Sequence, residues 1–320
     1  MVRREICQLH PSEGGLGMPN IEIRQHTLRL DFLDRMSTQQ VGIGQFWKED
    51  AKKAFPALRS VHSDDGEAHR LPRNECSFYR ECRRALKVLL RVKERLSITQ
   101  PLKRKALYRI IVRGAVHDDL AEGLGLTKGE ARSVWPWPTG MKPLNNNEAS
   151  LSWRIIRNAL WVGKKLFAAG LVISPECVRC GDMEESLEHA FVHCSIVRPV
   201  CQLVEGFMVR VLNVPFFALD ASVMCSNVVP FQDKRKHYVL QCLLGIMRVV
   251  IWTTRQKGFH EGESFTPLQL IAYFRHQLKV KIRVERRRLS SSEFNECWVR
   301  IAQLCRVKGA KLEWHLDISG

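Results

Sequence analysis

Four side chains of metal-binding type fall within eighteen residues of this 320-residue chain. Cys177, Cys180, His189 and Cys194 follow the spacing Cys-x2-Cys-x8-His-x4-Cys. Two cysteines separated by two residues can present both sulfurs to one ion from a tight turn, and Gly181 after them favours such a turn. Three sulfurs and one imidazole are a ligand set of tetrahedral Zn²⁺. The pattern predicts a small zinc knuckle, against the alternative of four unrelated side chains in a cysteine-rich protein.

A second imidazole, His193, competes with His189 for the fourth ligand position. His193 is adjacent to Cys194 in the sequence, and neighbouring side chains on a helix diverge by about 100°. His189 is therefore the better ligand. Because four protein ligands leave no open coordination position, we expect a structural rather than a catalytic metal.

The remaining cysteines lack partners at metal-binding spacing. The chain has eleven cysteines, an odd number, and its charged start lacks the apolar segment of a secretory signal. We therefore expect an intracellular protein, nuclear or cytoplasmic, with reduced thiols. Most of the other cysteines lie in apolar patterns and are predicted to fill the core: Cys201, Cys225, Cys242, Cys297 and Cys305.

The charge of the chain favours polyanionic partners. Fifty Lys and Arg oppose 33 Asp and Glu, which gives a net charge of +17. Seven cations crowd one segment near the C-terminus, with only Glu285 in opposition, and a solvated helix face is the alternative to a nucleic-acid contact. The predicted nucleic-acid-binding residues are Arg275, Lys279, Lys281, Arg283, Arg286, Arg287 and Arg288.

Apolar periodicity predicts a mainly α fold of helical bundle segments around the zinc knuckle. Helices are expected over residues 79–96, 102–120, 233–254, 267–289 and 294–307, and one begins near Ser150 with hydroxyl caps. The apolar stretch 239–252 is too short to cross a bilayer and is expected to be a core helix, with no membrane partner. No alternating run is long enough to predict a sheet. We place a Pro- and Asn-rich linker at residues 135–149.

The acidic residues give no support for a catalytic site. Nucleotidyl transfer needs carboxylates to hold metal ions, and two acidic pairs occur, Asp64-Asp65 and Asp118-Asp119. Neither pair is flanked by the apolar strands of a polymerase palm. There is no P-loop and no Gly-x-Ser-x-Gly turn. We therefore expect no enzyme activity.

Taken together, these passages resemble the C-terminal part of the polyprotein of LINE-type (non-LTR) retrotransposons, downstream of the reverse transcriptase palm. The glycine-rich turn at residues 13–20 is similar to the turn that opens the thumb region. Two passages resemble the reverse transcriptase zinc-binding domain: Ser152-Trp153-Arg154 through Trp161, and the four Cys and His positions with the phrase Cys-Gly-Asp-Met-Glu-Glu-Ser-Leu-Glu-His-Ala-Phe. Two further passages resemble the C-terminal tail of that domain: Ile251-Trp252-Thr253-Thr254-Arg255, and the basic segment ending in Phe294 and Trp298.

The resemblance implies a role in target-primed reverse transcription, in which the module holds template RNA or target DNA. It implies a thumb-like remnant at residues 1–56, a basic helical region at 57–134, a zinc-binding domain at 150–215 and a basic helical tail at 216–320. The palm would lie before residue 13, so we expect a remnant that binds structural Zn²⁺ and RNA, single-stranded DNA or target DNA, without polymerase or endonuclease activity. The rival hypothesis is a protein-interaction module in which zinc only staples helices.

Overall fold

The computed structural model describes residues 2–38, 77–96, 104–115, 134–135, 143–182, 184–213, 215–228, 233–308 and 311–314. The chain divides into two compact units, Val2–Leu120 and a unit that contains Ala121–Gly320. Helices dominate the described residues of both units, as the sequence predicted. The finer predicted domain boundaries stay predictions.

The first unit is helical. Its described elements are α1 (Arg4–Gln8), a 3-10 turn (Pro11–Glu13), α2 (Ile21–Thr38), α3 (Ser77–Leu96) and α4 (Arg104–Ala115). The predicted glycine-rich turn lies between the 3-10 turn and α2. Gly14 and Gly17 have φ values of +83° and +68°, which favour glycine, and a Cβ on Gly15 would stand 2.0 Å from the carbonyl oxygen of Leu9. The glycines therefore fix the path of the chain into α2.

Three helices enclose the small core of this unit. The helices α2, α3 and α4 pack against one another, and the buried side chains include Leu30 of α2, Leu89 of α3 and Ile111 of α4. Not every apolar side chain of α2 is covered, because Leu28 is 45% exposed whereas Thr27 is buried. The apolar residues of α2 do not all share one face, so tertiary packing selects which of them are covered.

The second unit contains the zinc-knuckle sequence and the long C-terminal helices. Its described elements are α5 (Asn146–Ile156), α6 (Gly163–Ala168), a π-helical turn (His189–His193), α7 (Arg198–Leu212), α8 (Ala221–Met224), α9 (Lys234–Glu261), α10 (Pro267–Arg288), α11 (Ser291–Phe294), a second π-helical segment (Asn295–Ile301), β1 (Cys305–Lys308) and β2 (Lys311–Trp314).

Helix α9 is the centre of this unit. It packs against α5, α7, α10 and both π-helical segments, and most of its side chains from Tyr238 to Ile251 are buried. The helix is long and apolar enough to cross a membrane by those two criteria, but 78% of its most apolar window is buried inside the fold. A helix buried to this extent is a core helix, as the sequence predicted for residues 239–252.

Two predicted details of this unit are wrong. The helix predicted near Ser150 has a different cap: the side chain of Asn145 accepts from the backbone N–H of Glu148, and the Glu148 carboxylate accepts from the Asn145 N–H. The last helix does not reach residue 307, because it ends at Ile301 and an antiparallel hairpin follows, with Cys305 opposite Trp314. Strands of four residues are too short to show a clear period of two.

The predicted linker at residues 135–149 is described only at its two ends. The Arg157 guanidinium lies 4.5 Å from the ring centre of Trp135, which is buried, and Asn227 donates a 2.7 Å hydrogen bond to the carbonyl of Val134. Residues 134 and 135 therefore pack onto the helical unit that follows the linker.

Candidate metal centre and basic helix

The first two cysteines of the metal pattern lie in a tight turn. The backbone N–H of Gly181 donates to the carbonyl of Cys177 at 2.8 Å, and the N–H of Cys177 donates to the carbonyl of Asp182 at 2.9 Å. Gly181 has a φ of +73°, so the glycine predicted to close the turn is required there. The turn carries both thiols on one loop.

The other two predicted ligands are brought together by the first π-helical turn. In an α-helix, residues five positions apart are rotated by about 500°, which leaves their side chains about 140° apart. Here the N–H of Cys194 donates to the carbonyl of His189 at 2.9 Å, an i to i+5 bond of the π type. This wider turn places the two residues on the same side. His193, at the end of the turn, is exposed and lies outside the group.

The four ligand atoms form one group in which every pair lies within 4.8 Å. The sulfurs of Cys177 and Cys194 are 4.0 Å apart, and the sulfur of Cys180 is 3.3 Å from Nε2 of His189. With Zn–S bonds of about 2.3 Å and Zn–N bonds of about 2.0 to 2.1 Å, tetrahedral geometry requires about 3.8 Å between sulfurs and about 3.5 Å between sulfur and nitrogen. The donor set and its spacing therefore fit one zinc ion.

Burial and hydrogen bonding separate the thiols of this group from those of the core. The hydrogen bond between the Cys177 and Cys194 sulfurs lowers the pKa of Cys177 and raises that of Cys194. By contrast, burial raises the pKa of both Cys201 and Cys225 to about 12, which keeps these thiols neutral. The core role predicted for these two, and for Cys242, Cys297 and Cys305, agrees with their burial.

The carboxylate of Asp182 lies beside the ring of His189. Its Oδ2 lies 3.5 Å from Nδ1 of His189, while Nε2 of the same ring faces Cys180. A ligating histidine commonly gives its other N–H to a carboxylate, which fixes the tautomer and the ring orientation. Asp182 is therefore placed to hold the imidazole with Nε2 toward the sulfurs.

Arg179 and Glu185 attach the knuckle to the core helix α9. The Arg179 guanidinium donates to the carbonyl of Ala190 at 2.6 Å and to that of Ile251 at 3.3 Å. Glu185 is fully buried and accepts from the N–H of Gly163 at 2.7 Å and from Arg255 of α9. The hydrogen bonds of Arg179 and the ion pair of Glu185 with Arg255 thus both hold the knuckle against α9.

The comparison with protein families bears on this same stretch. Residues 129–200 match the family described as zinc-binding in reverse transcriptase. The match supports a reverse transcriptase zinc-binding domain, as the sequence predicted, and it includes all four grouped side chains. No curated protein and no solved structure matches the chain.

The structure does not place the seven predicted nucleic-acid-binding cations on one surface. Lys281 is buried, and its Nζ lies 2.7 Å from Oε2 of Glu148. The only acid of the segment, Glu285, is also buried, and it accepts from Tyr238 and from Arg288. Lys281 and Arg288 therefore share the side of α10 that carries Glu285 and faces Glu148 of α5.

The other five cations lie on a different side of α10. At 100° per residue they occupy an arc of about 120°. Arg283 and Arg287 are exposed, and the Arg283 guanidinium lies 5.5 Å from the ring centre of Trp314. We call these five residues the α10 basic arc: Arg275, Lys279, Arg283, Arg286 and Arg287. The acidic pairs at residues 64–65 and 118–119, and Cys76, lie outside the described residues.

Sequence reasoning missed three charged residues that shape the zinc-binding domain. Glu185 and Arg255 were not recognised because no pattern links positions 70 residues apart. Arg248 is fully buried in α9 and donates to the carbonyls of Val223 and Met224 at 3.0 Å each. A charged residue in the middle of an apolar helix is the one signal that points to such a buried partner.

Proposed function

We propose that this chain is a zinc-binding, nucleic-acid-binding part of a LINE-type reverse transcriptase, which contacts template RNA or target DNA in target-primed reverse transcription. The observation that carries the proposal is the Cys177, Cys180, His189 and Cys194 group inside the matched stretch. When bound, Zn²⁺ supplies a fixed cross-link between the turn and the π-helical turn, and no chemistry. The proposed part has no polymerase or endonuclease activity of its own.

The α10 basic arc is the proposed nucleic-acid contact of this unit. Its most exposed cations, Arg283 and Arg287, follow Lys279 at intervals of four residues, so the three form one ridge. Cations spaced along a helix neutralise phosphates and release counterions, which makes the affinity fall with salt. Phosphate contacts carry no base information, so the proposed binding is independent of sequence.

Salt-dependent RNA binding tests this proposal. We expect replacement of Lys279, Arg283 and Arg287 by Gln to weaken binding of a single-stranded RNA and to flatten its slope against log salt by about 2, at roughly 0.7 per lost contact. The matched control replaces Arg210, Lys234 and Lys311, three exposed cations of the same unit, by Gln. Equal slopes in the two triple variants would contradict a specific role for the arc.

A second candidate function, a protein-interaction module stapled by zinc, is favoured by exposed apolar residues of the zinc-binding domain. Trp161, Phe167, Leu171 and Ile173 are 47%, 50%, 65% and 100% exposed within thirteen residues of the chain. Large exposed apolar side chains this close in sequence are typical of a protein contact. RNA affinity that does not respond to salt would favour this second candidate.

A further inference from the structure

A serine with an exposed hydroxyl follows the arginines at the end of α10. The pattern Arg-Arg-x-Ser occurs once in the chain, as Arg287-Arg288-Leu289-Ser290. Arginines two and three residues before a serine are the charge pattern that arginine-directed serine kinases select with carboxylates of their own. Because Ser290 is exposed, its hydroxyl is open to an enzyme. The segment thus combines a kinase recognition pattern with an accessible acceptor.

The backbone at this serine is extended. Helix α10 ends at Arg288, and φ and ψ are −87° and 154° at Leu289 and −61° and 155° at Ser290. In-line phosphoryl transfer requires the hydroxyl to reach the γ-phosphate of ATP in the kinase cleft, which an extended residue permits more readily than a residue inside a helix. Ser291 and Ser292 are also exposed, but they lie in α11. The backbone therefore favours Ser290 over its two neighbours as the acceptor.

A kinase reaches both arginines when the last turn of α10 opens. Arg287 is exposed, whereas Arg288 donates to Glu285 at 2.9 Å and to the hydroxyl of Tyr238. The ends of helices open more readily than their middles. Glu285 keeps the hydrogen bond from Tyr238 when the arginine leaves. Recognition of the pattern therefore requires the release of one ion pair and leaves the rest of α10 intact.

A second kinase pattern at the same serine is disfavoured by the structure. Acid-directed kinases select a carboxylate three residues after the serine, and Glu293 occupies that position. However, Oε2 of Glu293 accepts from the Ser290 hydroxyl at 2.7 Å and from the Ser290 N–H at 3.1 Å. The arginines before the serine also repel the basic substrate site of such a kinase. The charges around Ser290 therefore fit an arginine-directed kinase.

We infer that Ser290 is the acceptor site of an arginine-directed serine kinase, and that its phosphate opposes the α10 basic arc. In the transfer, Oγ of Ser290 loses its proton and bonds to the γ-phosphorus of ATP, while the bond from that phosphorus to the bridging oxygen breaks and ADP leaves. The phosphate carries a charge of about −1.5 to −2 at pH 7. Two cations of the arc, Arg286 and Arg287, lie within four residues of Ser290. The effect on the arc, unlike the acceptor site itself, rests on the proposed nucleic-acid function.

Phosphorylation of the full chain tests the acceptor site. The probe is the catalytic subunit of cyclic-AMP-dependent protein kinase with Mg²⁺ and ATP, and mass spectrometry locates the phosphate in the tryptic peptide 289–300. We expect phosphate in this peptide of the wild type, of Ser291→Ala and of Ser292→Ala. We expect none in that of Ser290→Asn, in which the asparagine keeps a helix cap. An unmodified wild-type peptide, a phosphate that persists in Ser290→Asn, or modification by the acid-directed casein kinase 2 alone would overturn the site.

Two matched variants test how the kinase recognises the site. Arg287→Gln removes an arginine of the pattern and should slow the phosphorylation of Ser290 about ten-fold or more. Arg283→Gln removes another exposed arginine of α10 that lies outside the pattern, and it should leave the rate close to that of the wild type. Equal rates in the two variants would contradict selection by the arginines before the serine.

RNA binding tests the effect of the phosphate on the arc. Fluorescence anisotropy with a single-stranded RNA at several salt concentrations should show that the phosphorylated wild type loses about 1 to 1.5 from the slope of log affinity against log salt, at roughly 0.7 per lost contact. Ser290→Asn treated with the same kinase should lose nothing. An unchanged slope in the phosphorylated protein, when the triple variant of the arc does weaken binding, would overturn this effect. If the triple variant binds like the wild type, the proposed function of the arc fails, and phosphate located at Ser290 still supports the acceptor site.

Discussion

Glu185 of the knuckle and Arg255 of α9 form a bidentate ion pair that is closed to solvent. Nε of Arg255 lies 3.2 Å from Oε1 of Glu185, and Nη2 lies 2.7 Å from Oε2, while 0% and 2% of the two residues are exposed. Oε1 of Glu185 is also 4.0 Å from the sulfur of Cys177. The pair therefore connects a candidate metal ligand directly to the central helix of the fold.

Removal of one charge from this pair should strongly destabilise the unit. We expect Glu185→Gln to lower the free energy of unfolding by about 3 to 5 kcal/mol, because Arg255 would remain buried and charged without its counter-ion. Chemical denaturation followed by circular dichroism measures this difference. The double variant Glu185→Gln with Arg255→Met should recover part of the loss, since no uncompensated charge remains. Strictly additive losses would contradict an energetic coupling between the two residues.

Zinc should bind with a stoichiometry of one ion per chain. We expect Cys177→Ser and His189→Ala to lose most of the metal and to unfold the knuckle, because the folding of such a loop is coupled to metal binding. Elemental analysis of the purified protein measures the stoichiometry. His193→Ala is the matched control, since His193 is exposed and lies outside the group. A folded wild-type protein without zinc, or equal metal loss in the control, would refute the assignment.

The Asp182 side chain should strengthen zinc binding by the four-residue group without coordinating the zinc itself. Replacement of a carboxylate that orients a ligating histidine commonly costs about 10- to 100-fold in affinity. We expect Asp182→Asn to show a loss in this range in a competition titration with a chromophoric chelator. Glu184→Gln is a suitable control, because Glu184 is exposed on the same loop and pairs with Lys164. Unchanged affinity in Asp182→Asn would mean that the 3.5 Å contact does not position the ring.

Acid should destabilise the second unit partly through His237. Burial lowers the pKa of His237 on α9 from its ordinary value of 6.5. Below pH 6.5 the unfolded chain therefore takes up a proton before the folded chain does, and the free energy of unfolding falls until the pH has passed the folded pKa. Between about pH 7.5 and about pH 5, the measured free energy of unfolding should fall less steeply in His237→Gln than in the wild type. Parallel curves would show that this imidazole is not responsible.

The chain should not extend a primer on any template. The proposal assigns it no palm, and polymerisation needs palm carboxylates to hold the catalytic metal ions. A primer-extension assay with Mg²⁺ or Mn²⁺ and RNA or DNA templates tests this expectation. Product that is abolished by Asp64→Ala or Asp118→Ala would contradict the proposal and indicate a polymerase.

The sequence alone determined the local features of this protein. The four predicted metal ligands come together, and the Gly181 turn forms, because a short spacing and a residue with free φ values need no distant partner. The helices α9 and α10 were predicted for the same reason, since each has a long apolar pattern and begins at a capping residue.

The tertiary structure alone decided which charges are available to a partner. Lys281 is one of seven neighbouring cations in the sequence, but Glu148, 133 positions away, holds it in a buried pair. The pairing of Glu185 with Arg255 has the same character. A local sequence pattern shows the period of a helix, but it does not show which side chain of a distant element packs against that helix. Burial of a charge is favourable only where such a distant side chain pairs with it.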